Sequence, residues 1–113
     1  GISVFLLAGC GMSAVNFVKT EINIANSDYK VVVFTRDAGA TTKNSVQISI
    51  IRQRDELDDL AGNIFISDGD DNIFVTVENG TVVVHMSESA RIFRSQNSYQ
   101  GVPVKYETGL TKH

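Results

Sequence analysis

The chain has 113 residues, of which 42% are hydrophobic and 20% are charged. This length suits one domain with its own core, and the composition excludes a chain that is mainly disordered. Ten basic residues against thirteen acidic ones give a net charge of -3, and no run of Lys or Arg is present that could follow a phosphate backbone, so we expect no nucleic-acid partner.

The chain opens with GISVFLLAGC, an apolar run that ends at the only cysteine. Residues 2–7 are far fewer than the roughly 20 that a membrane-spanning helix needs, and the run ends in small residues, as the apolar part of a secretory signal does. The order Leu7-Ala8-Gly9-Cys10 resembles the bacterial lipobox, in which the cysteine thiol receives diacylglycerol and the chain is cleaved before it. The sequence therefore predicts that residues 1–9 are the tail of a lipoprotein signal peptide.

On this interpretation Cys10 is the lipid attachment site and residues 10–14 are a tether. No second cysteine competes for Cys10 through a disulfide bond. The alternative is that residues 2–10 form an ordinary buried strand of the fold, in which the cysteine is a small hydrophobic residue. The absence of a starting Met and of a basic segment before the apolar run keeps this alternative open.

The first half of the domain has three strand-like segments. Residues 15–24 alternate imperfectly and end in turn-forming residues, which indicates an edge or flanking strand. Residues 31–34 are continuously apolar, which is typical of a strand covered on both faces or at a sheet centre. Residues 45–51 alternate almost perfectly and direct Val46, Ile48 and Ile50 inward.

The charged stretch RQRDELDDL, residues 52–60, predicts a solvated loop or a single helical turn. Further strands are expected on either side of the turn-rich DGDD, over residues 63–67 and 72–78. Asn79-Gly80 between two alternating runs is the sharpest local signal in the chain. It predicts a two-residue type I′ hairpin, because both loop positions of that turn need positive φ.

A last strand is expected over residues 102–106, and Pro103 places it at a sheet edge because proline cannot donate to the ladder. Residues 87–101 fit either a helical turn or an irregular strand. Together these segments predict a mainly β fold, a small antiparallel meander or sandwich of about seven short strands with at most a short helical turn. We expect residues 15–113 to form this single β domain.

Several segments carry a resemblance to a known family. In chain order they are LAGC, NSDYKVVVFTRDAGATTKNSVQISI, GNIFI and QGVPVKYE. Together they are similar to a family of short bacterial lipoproteins of unknown function. The most specific part is residues 36–42 with Ser45 and Gln47, whereas Tyr29-Lys30 departs from the Gly-Lys-Tyr usual in the family. The resemblance implies an exported, lipid-anchored protein and brings no known activity with it.

The same loop is our candidate binding surface, made by Arg36, Asp37, Gly39, Thr41 and Thr42. Glycine and small neighbours permit close approach by a partner, while the guanidinium and the hydroxyls offer hydrogen bonds. The alternative is structural. A hairpin connection needs glycine for positive φ, and the arginine can pair with the adjacent aspartate or with an acid on a neighbouring strand.

Other patterns that could carry chemistry are weaker. The acidic DGDDN of residues 68–72 resembles a calcium loop, but the positions that need Gly and Glu hold Ile73 and Asn79. An acidic turn is therefore expected, and no metal site. His85 and His113 have no ligand partners at zinc spacing. There are many Ser and Thr but no G-x-S-x-G motif, and His85 would have to serve alone as the catalytic base. We expect no cofactor.

Two hypotheses for function follow. The first is a non-enzymatic protein-interaction module of the accessory, exclusion or immunity type, tethered outside the cytoplasm to a bacterial envelope membrane through the lipid on Cys10 and binding an envelope protein. The second is a small envelope enzyme or ligand-binding protein acting on cell-wall or lipid material. A deep pocket with His85, Arg36 or an acidic pair favours the second, and an unpaired strand edge or an apolar patch favours the first.

Overall fold

A computed structural model describes residues 15–37, 45–68, 72–88 and 91–109. These residues form nine strands and no helix, which confirms the mainly β fold class. The strands are β1 (Val15–Asn23), β2 (Tyr29–Asp37), β3 (Ser45–Arg52), β4 (Phe65–Asp68), β5 (Phe74–Glu78), β6 (Thr81–His85), β7 (Arg91–Ser95), β8 (Ser98–Tyr99) and β9 (Val102–Glu107).

The strands make two sheets that share one core. A five-stranded sheet has the order β1-β2-β3-β4-β7 and is antiparallel throughout. A four-stranded sheet has the order β5-β6-β9-β8, in which β6 and β9 are parallel. There are more strands than the seven or so expected, partly because residues 87–101, which periodicity left undecided, contain both β7 and β8.

The shared core lies between the inner faces of the two sheets. The predicted inward residues Val46, Ile48 and Ile50 are at most 2% exposed and belong to it. They meet valines of the four-stranded sheet, including Val82 and Val84. The alternation of β3 therefore predicted the correct face.

The predicted hairpin between β5 and β6 is confirmed. Asn79 and Gly80 have φ values of 53° and 79°, as a type I′ turn requires, and the flanking residues pair across it. Gln100 and Gly101 have similar values, 51° and 82°, and join β8 to β9. The sequence analysis did not identify this second turn, because Gln-Gly is not one of the usual type I′ pairs.

The expectation that Pro103 marks a sheet edge was wrong. Its strand, β9, lies between β6 and β8. Pro103 faces Ser98 of the two-residue β8, and the parallel ladder with β6 begins one residue later, at Val104. Proline is tolerated because it lies beside the start of that ladder, where no partner needs its missing N–H.

The charged stretch after β3 forms a loop, as predicted, and we call residues 53–63 the strap. The strap crosses the outer face of the five-stranded sheet, the face turned away from the other sheet. Arg36 Nη1 donates to Asp59 O at 2.7 Å, and the Gly62 N–H donates to Gln47 Oε1 at 2.7 Å. Asn63 continues this attachment, since its side chain bonds both the N–H and the carbonyl of Ile50 at 2.9 Å.

The strap explains why β2 is apolar on both faces. Val31 and Val33 point into the shared core, whereas Val32 and Phe34 point to the outer face and are nevertheless 0% exposed. Their neighbours on β3 include Gln47, which is 4% exposed and bound to the strap. The continuous apolar run is therefore the sequence signature of a strand covered on one side by a sheet and on the other by a loop.

Tyr106 on β9 ties the two sheets together. Its ring stacks on Phe65 of β4 with centroids 5.8 Å apart. Its hydroxyl donates to Gln96 O at 2.6 Å and lies 3.3 Å from Ile64 O. Burial raises the pKa of Tyr106 from 10.0 to about 12, because the charged phenolate is poorly solvated there.

This shift makes alkaline stability depend on Tyr106. Between pH 10 and about 12 the unfolded chain loses a phenolic proton that the folded chain keeps, so ionisation favours unfolding. The stabilisation is complete below pH 10.0 and is lost as the pH rises through about 12. Titration followed by tyrosinate absorbance should show a step near pH 12 that Tyr106→Phe lacks; a variant that loses only a step near pH 10 would contradict the assignment.

Candidate functional site

Two of the predicted binding residues can be located in the fold, Arg36 and Asp37. They are the last residues of β2, where Arg36 faces Asn16 of β1 and Ser45 of β3, and Asp37 faces Val15. The other predicted residues of this loop, Gly39, Thr41 and Thr42, lie outside the described residues, as does Cys10.

Arg36 has structural partners. Its Nη1 donates to Asn16 Oδ1 at 2.8 Å and to Asp59 O at 2.7 Å. Asn16 in turn donates to the carbonyl oxygens of Asp58 and Leu60, both at 2.9 Å. The two acceptors of Arg36 are an amide oxygen and a main-chain carbonyl. The geometry gives Arg36 a part in holding the strap, and its role in binding stays a prediction.

The start of β1 carries an exposed apolar cluster, which we call the tip patch: Val15, Phe17 and Val18, exposed by 46%, 55% and 49%. β1 is an edge strand, as predicted. Val15 and Phe17 lie on the face that elsewhere carries the core, and Val18 lies on the opposite face. At the start of β1, apolar side chains are therefore exposed on both faces of the edge strand.

The opposite edge of the same sheet carries a second cluster, residues 91–94, which we call the β7 patch. Ile92 and Phe93 are 43% and 61% exposed. Arg94 pairs with Ile66 and Ile92 with Ser67, so Phe93 is the extra residue of a β-bulge. A bulge leaves its extra residue unpaired and redirects it, which accounts for the exposure of the ring.

Arginines precede and follow this pair of apolar residues in the sequence, and one of them lies beside the exposed ring. The Arg91 guanidinium lies 5.8 Å from the centre of the Phe93 ring, and its Nε is 3.7 Å from Asp68. Arg94 donates to Gly62 O at 2.8 Å. Phenylalanine and arginine together are characteristic of the residues that dominate protein interfaces. Sequence reasoning missed this patch because adjacent apolar residues give no alternation, and the only signal is the pattern Arg-Ile-Phe-Arg.

A groove of about 600 Å³ lies at the other end of β1. It is enclosed by three turns, those that follow β1, β5 and β8. Its lining is uncharged: Ile22, Asn23, Ile24, Ala25, Asn26, Ser27, Val77, Asn79, Gly80, Gly101 and Val102. The groove and the tip patch are therefore at opposite ends of β1.

His85 is part of a row of polar side chains on the outer face of the four-stranded sheet. Its Nε2 lies 2.9 Å from Thr76 Oγ1, and its Nδ1 lies 3.6 Å from Glu107 Oε1. The Phe74 ring stacks on the imidazole at 4.4 Å. The sequence had offered no partner for this histidine as a catalytic base. The order hydroxyl, imidazole, carboxylate is the order used by hydrolases that activate a hydroxyl nucleophile.

The row is better explained as cross-strand packing. Phe74 and Glu107 are the register partners of His85 on the two neighbouring strands, so sheet pairing alone brings them together. The distance of 3.6 Å to Glu107 exceeds that of a hydrogen bond. Arg36 belongs to the other sheet, and the groove described above is lined by none of these residues. Neither Arg36 nor the groove therefore belongs to this row of side chains.

A metal site is not apparent in the part of the chain that the structure describes. There, no three His, Cys, Asp or Glu side chains come close enough to hold an ion. Asp68 and Asn72, the two ends of the acidic turn, are described, whereas residues 69–71 between them lie outside the described ranges. Within those ranges the structure also contains no helix that is long and apolar enough to cross a membrane.

Comparison with known proteins gives no match: no family model, curated protein or solved structure is similar enough to this chain to be matched. The resemblance to short bacterial lipoproteins therefore stays a prediction.

Proposed function

We propose that this chain is a membrane-tethered bacterial lipoprotein that binds another protein of the cell envelope and catalyses no reaction. The lipid on Cys10 attaches it to the membrane, and the β domain is extracytoplasmic. It acts as an accessory, exclusion or immunity module. The observation that carries the binding role is the β7 patch, where Ile92 and Phe93 are exposed on a strand that forms the edge of the sheet among the described residues.

The chemistry of the patch defines what the partner offers. The bulge at Phe93 interrupts regular main-chain pairing, which opposes the addition of another strand. The partner therefore docks onto side chains, with an apolar pocket for Phe93 and acidic groups near Arg91 at the rim. An aromatic anchor flanked by arginine is the usual composition of an energetic hot spot.

The sheet order separates this surface from the tether. β7 is four positions from β1, which at about 4.8 Å per strand is roughly 19 Å. A chain anchored just before β1 therefore leaves the β7 patch free for a partner in the envelope.

The test compares two exposed apolar side chains. Phe93→Ser should weaken capture of the envelope partner by roughly tenfold or more, because a buried aromatic anchor contributes at least about 1.4 kcal/mol to an interface. Leu60→Ser is the matched control, since Leu60 is 66% exposed and lies on the strap. Quantitative co-purification from cross-linked envelope fractions measures the effect.

If the β7 patch is the interface, Phe93→Ser weakens capture of the envelope partner and Leu60→Ser leaves it unchanged. Unchanged capture by Phe93→Ser, or equal loss by Leu60→Ser, would contradict the proposal. Circular dichroism of both variants checks that the fold persists, which is expected because both side chains are more than 60% exposed.

The alternative, a small envelope enzyme or ligand-binding protein acting on cell-wall or lipid material, draws its support from the row Thr76, His85 and Glu107. The row would need a substrate pocket beside Thr76 and donors for a developing oxyanion. The exposed β7 patch is the feature typical of an interaction module, and so we favour binding.

A further inference from the structure

We infer that the tip patch, Val15, Phe17 and Val18, contacts the surface of the bilayer to which Cys10 is anchored. This inference rests on the proposed function through the lipid on Cys10. It adds a second membrane contact, made by the folded domain itself, and it fixes which end of the domain faces the lipid.

The segment between Cys10 and the β domain is short. Val15 comes five positions after Cys10 in the sequence, and a fully extended chain over five positions spans at most about 18 Å. A lipidated cysteine lies at the membrane interface, so the start of β1 cannot be farther than this from the headgroups. Phe17 follows only two residues later.

The apolar side chains of the tip patch are placed where they can reach the membrane. All three are at the tethered end of β1 and about half exposed, between 46% and 55%. They extend from both faces of the edge strand. Apolar and aromatic side chains that surround the edge of a domain can enter the boundary between headgroups and acyl chains, where their burial is favourable.

Other partners fit the tip patch less well than lipid does. A second copy of the chain would pair along β1, but the register shifts between Val18 and Thr20, and a bulge with an exposed lysine, Lys19, opposes edge-to-edge pairing. The charges near the tip are mixed, because Arg36 and Asp37 pair with the start of β1 and Lys19 lies in its bulge, so no single charge selects an oppositely charged protein. A lipid surface needs neither a register nor charge complementarity.

This orientation has a consequence for the rest of the domain. The groove lies at the other end of β1 from the tip patch and therefore points away from the bilayer. The β7 patch lies on the far edge of the sheet. Both surfaces that remain for a partner are thus accessible when the tip touches lipid.

The experiment uses tryptophan as a reporter, since the chain has no Trp of its own. Phe17→Trp places the single reporter in the tip patch, and Phe93→Trp places it in the β7 patch as the matched control. The chain from Cys10 onward, which is the mature form on this proposal, is coupled through Cys10, its only cysteine, to a maleimide-bearing phosphatidylethanolamine in phosphatidylcholine vesicles with brominated acyl chains.

The expected result is roughly twofold or stronger quenching of Phe17→Trp with a blue shift of its emission, and no quenching of Phe93→Trp. An unquenched Phe17→Trp, or equal quenching of both, overturns the inference. A blue shift that grows with protein concentration but without quenching shows a second copy at the edge and also overturns it. Because the lipid is attached chemically, the outcome is independent of whether cells lipidate Cys10, which is the separate test of the proposed function.

Discussion

Replacing Gly62 by alanine should lower the free energy of unfolding by about 3 kcal/mol. A Cβ at this position would lie 2.7 Å from the carbonyl oxygen of Phe65, 2.8 Å from that of Ile48 and 3.0 Å from the Cβ of Gln47. Two of these atoms belong to the backbone of the sheet and cannot move aside as a flexible side chain would. The strap would have to lift from the sheet.

The cost is large because Gly62 is where the strap rejoins the sheet. Its N–H donates to the buried Gln47 side chain at 2.7 Å, and its carbonyl accepts from Arg94 at 2.8 Å. Lifting the strap would remove this donor from the buried Gln47 Oε1 and would expose Val32 and Phe34 on the outer face. Unpaired buried polar groups and newly exposed apolar groups each destabilise a fold.

Gly80→Ala is the matched control. No atom lies within 4 Å of a Cβ at Gly80, so its cost comes only from the positive φ of 79°, which is worth about 1 kcal/mol. Urea unfolding of both variants measures the difference. If Gly62→Ala is no less stable than Gly80→Ala, the strap does not depend on close approach at this glycine.

The features that the sequence predicted depend on neighbouring residues. Asn79-Gly80 needs only its own backbone preference to form the turn, and the alternation of β3 needs only the period of a strand to choose its buried face. The same holds for the edge position of β1, where alternation is imperfect. Local sequence preferences determine these elements, and so they can be identified from the sequence alone.

The features that it did not predict depend on distant partners. Residues 52–60 are predicted to be a loop, but nothing in them shows that the loop covers Phe34. Pro103 is compatible with an edge, and only the position of β6 shows that β9 is internal. β7 is recognisable only after β4 supplies its partner and the bulge.

The candidate site shows the same division. The sequence assigned Arg36 to a loop, whereas it is the second-last residue of β2 and donates to Asn16 and Asp59, which are 20 and 23 residues away. The exposure of Phe93 arises from a bulge against Ile66 and Ser67. Such contacts are set by sheet register, which a single sequence does not specify for short irregular strands.

The largest functional effect is expected at Cys10. Cys10→Ser should abolish membrane attachment completely, because only a thiol can be alkylated to the thioether that carries diacylglycerol, and cleavage of the signal peptide follows that step. The variant should keep residues 1–9 and carry no lipid. The β domain, whose strand β1 begins at Val15, should fold as in the wild type.

The most direct test is the intact mass and membrane partitioning of the chain produced in bacteria, wild type beside Cys10→Ser. We predict a membrane-bound wild-type protein that begins at Cys10 and is heavier than that chain by a diacylglycerol or more, and an unlipidated variant. A wild-type chain that is soluble, unmodified and still carries residues 1–9 would contradict the lipoprotein function, and GISVFLLAGC would then belong to the fold itself.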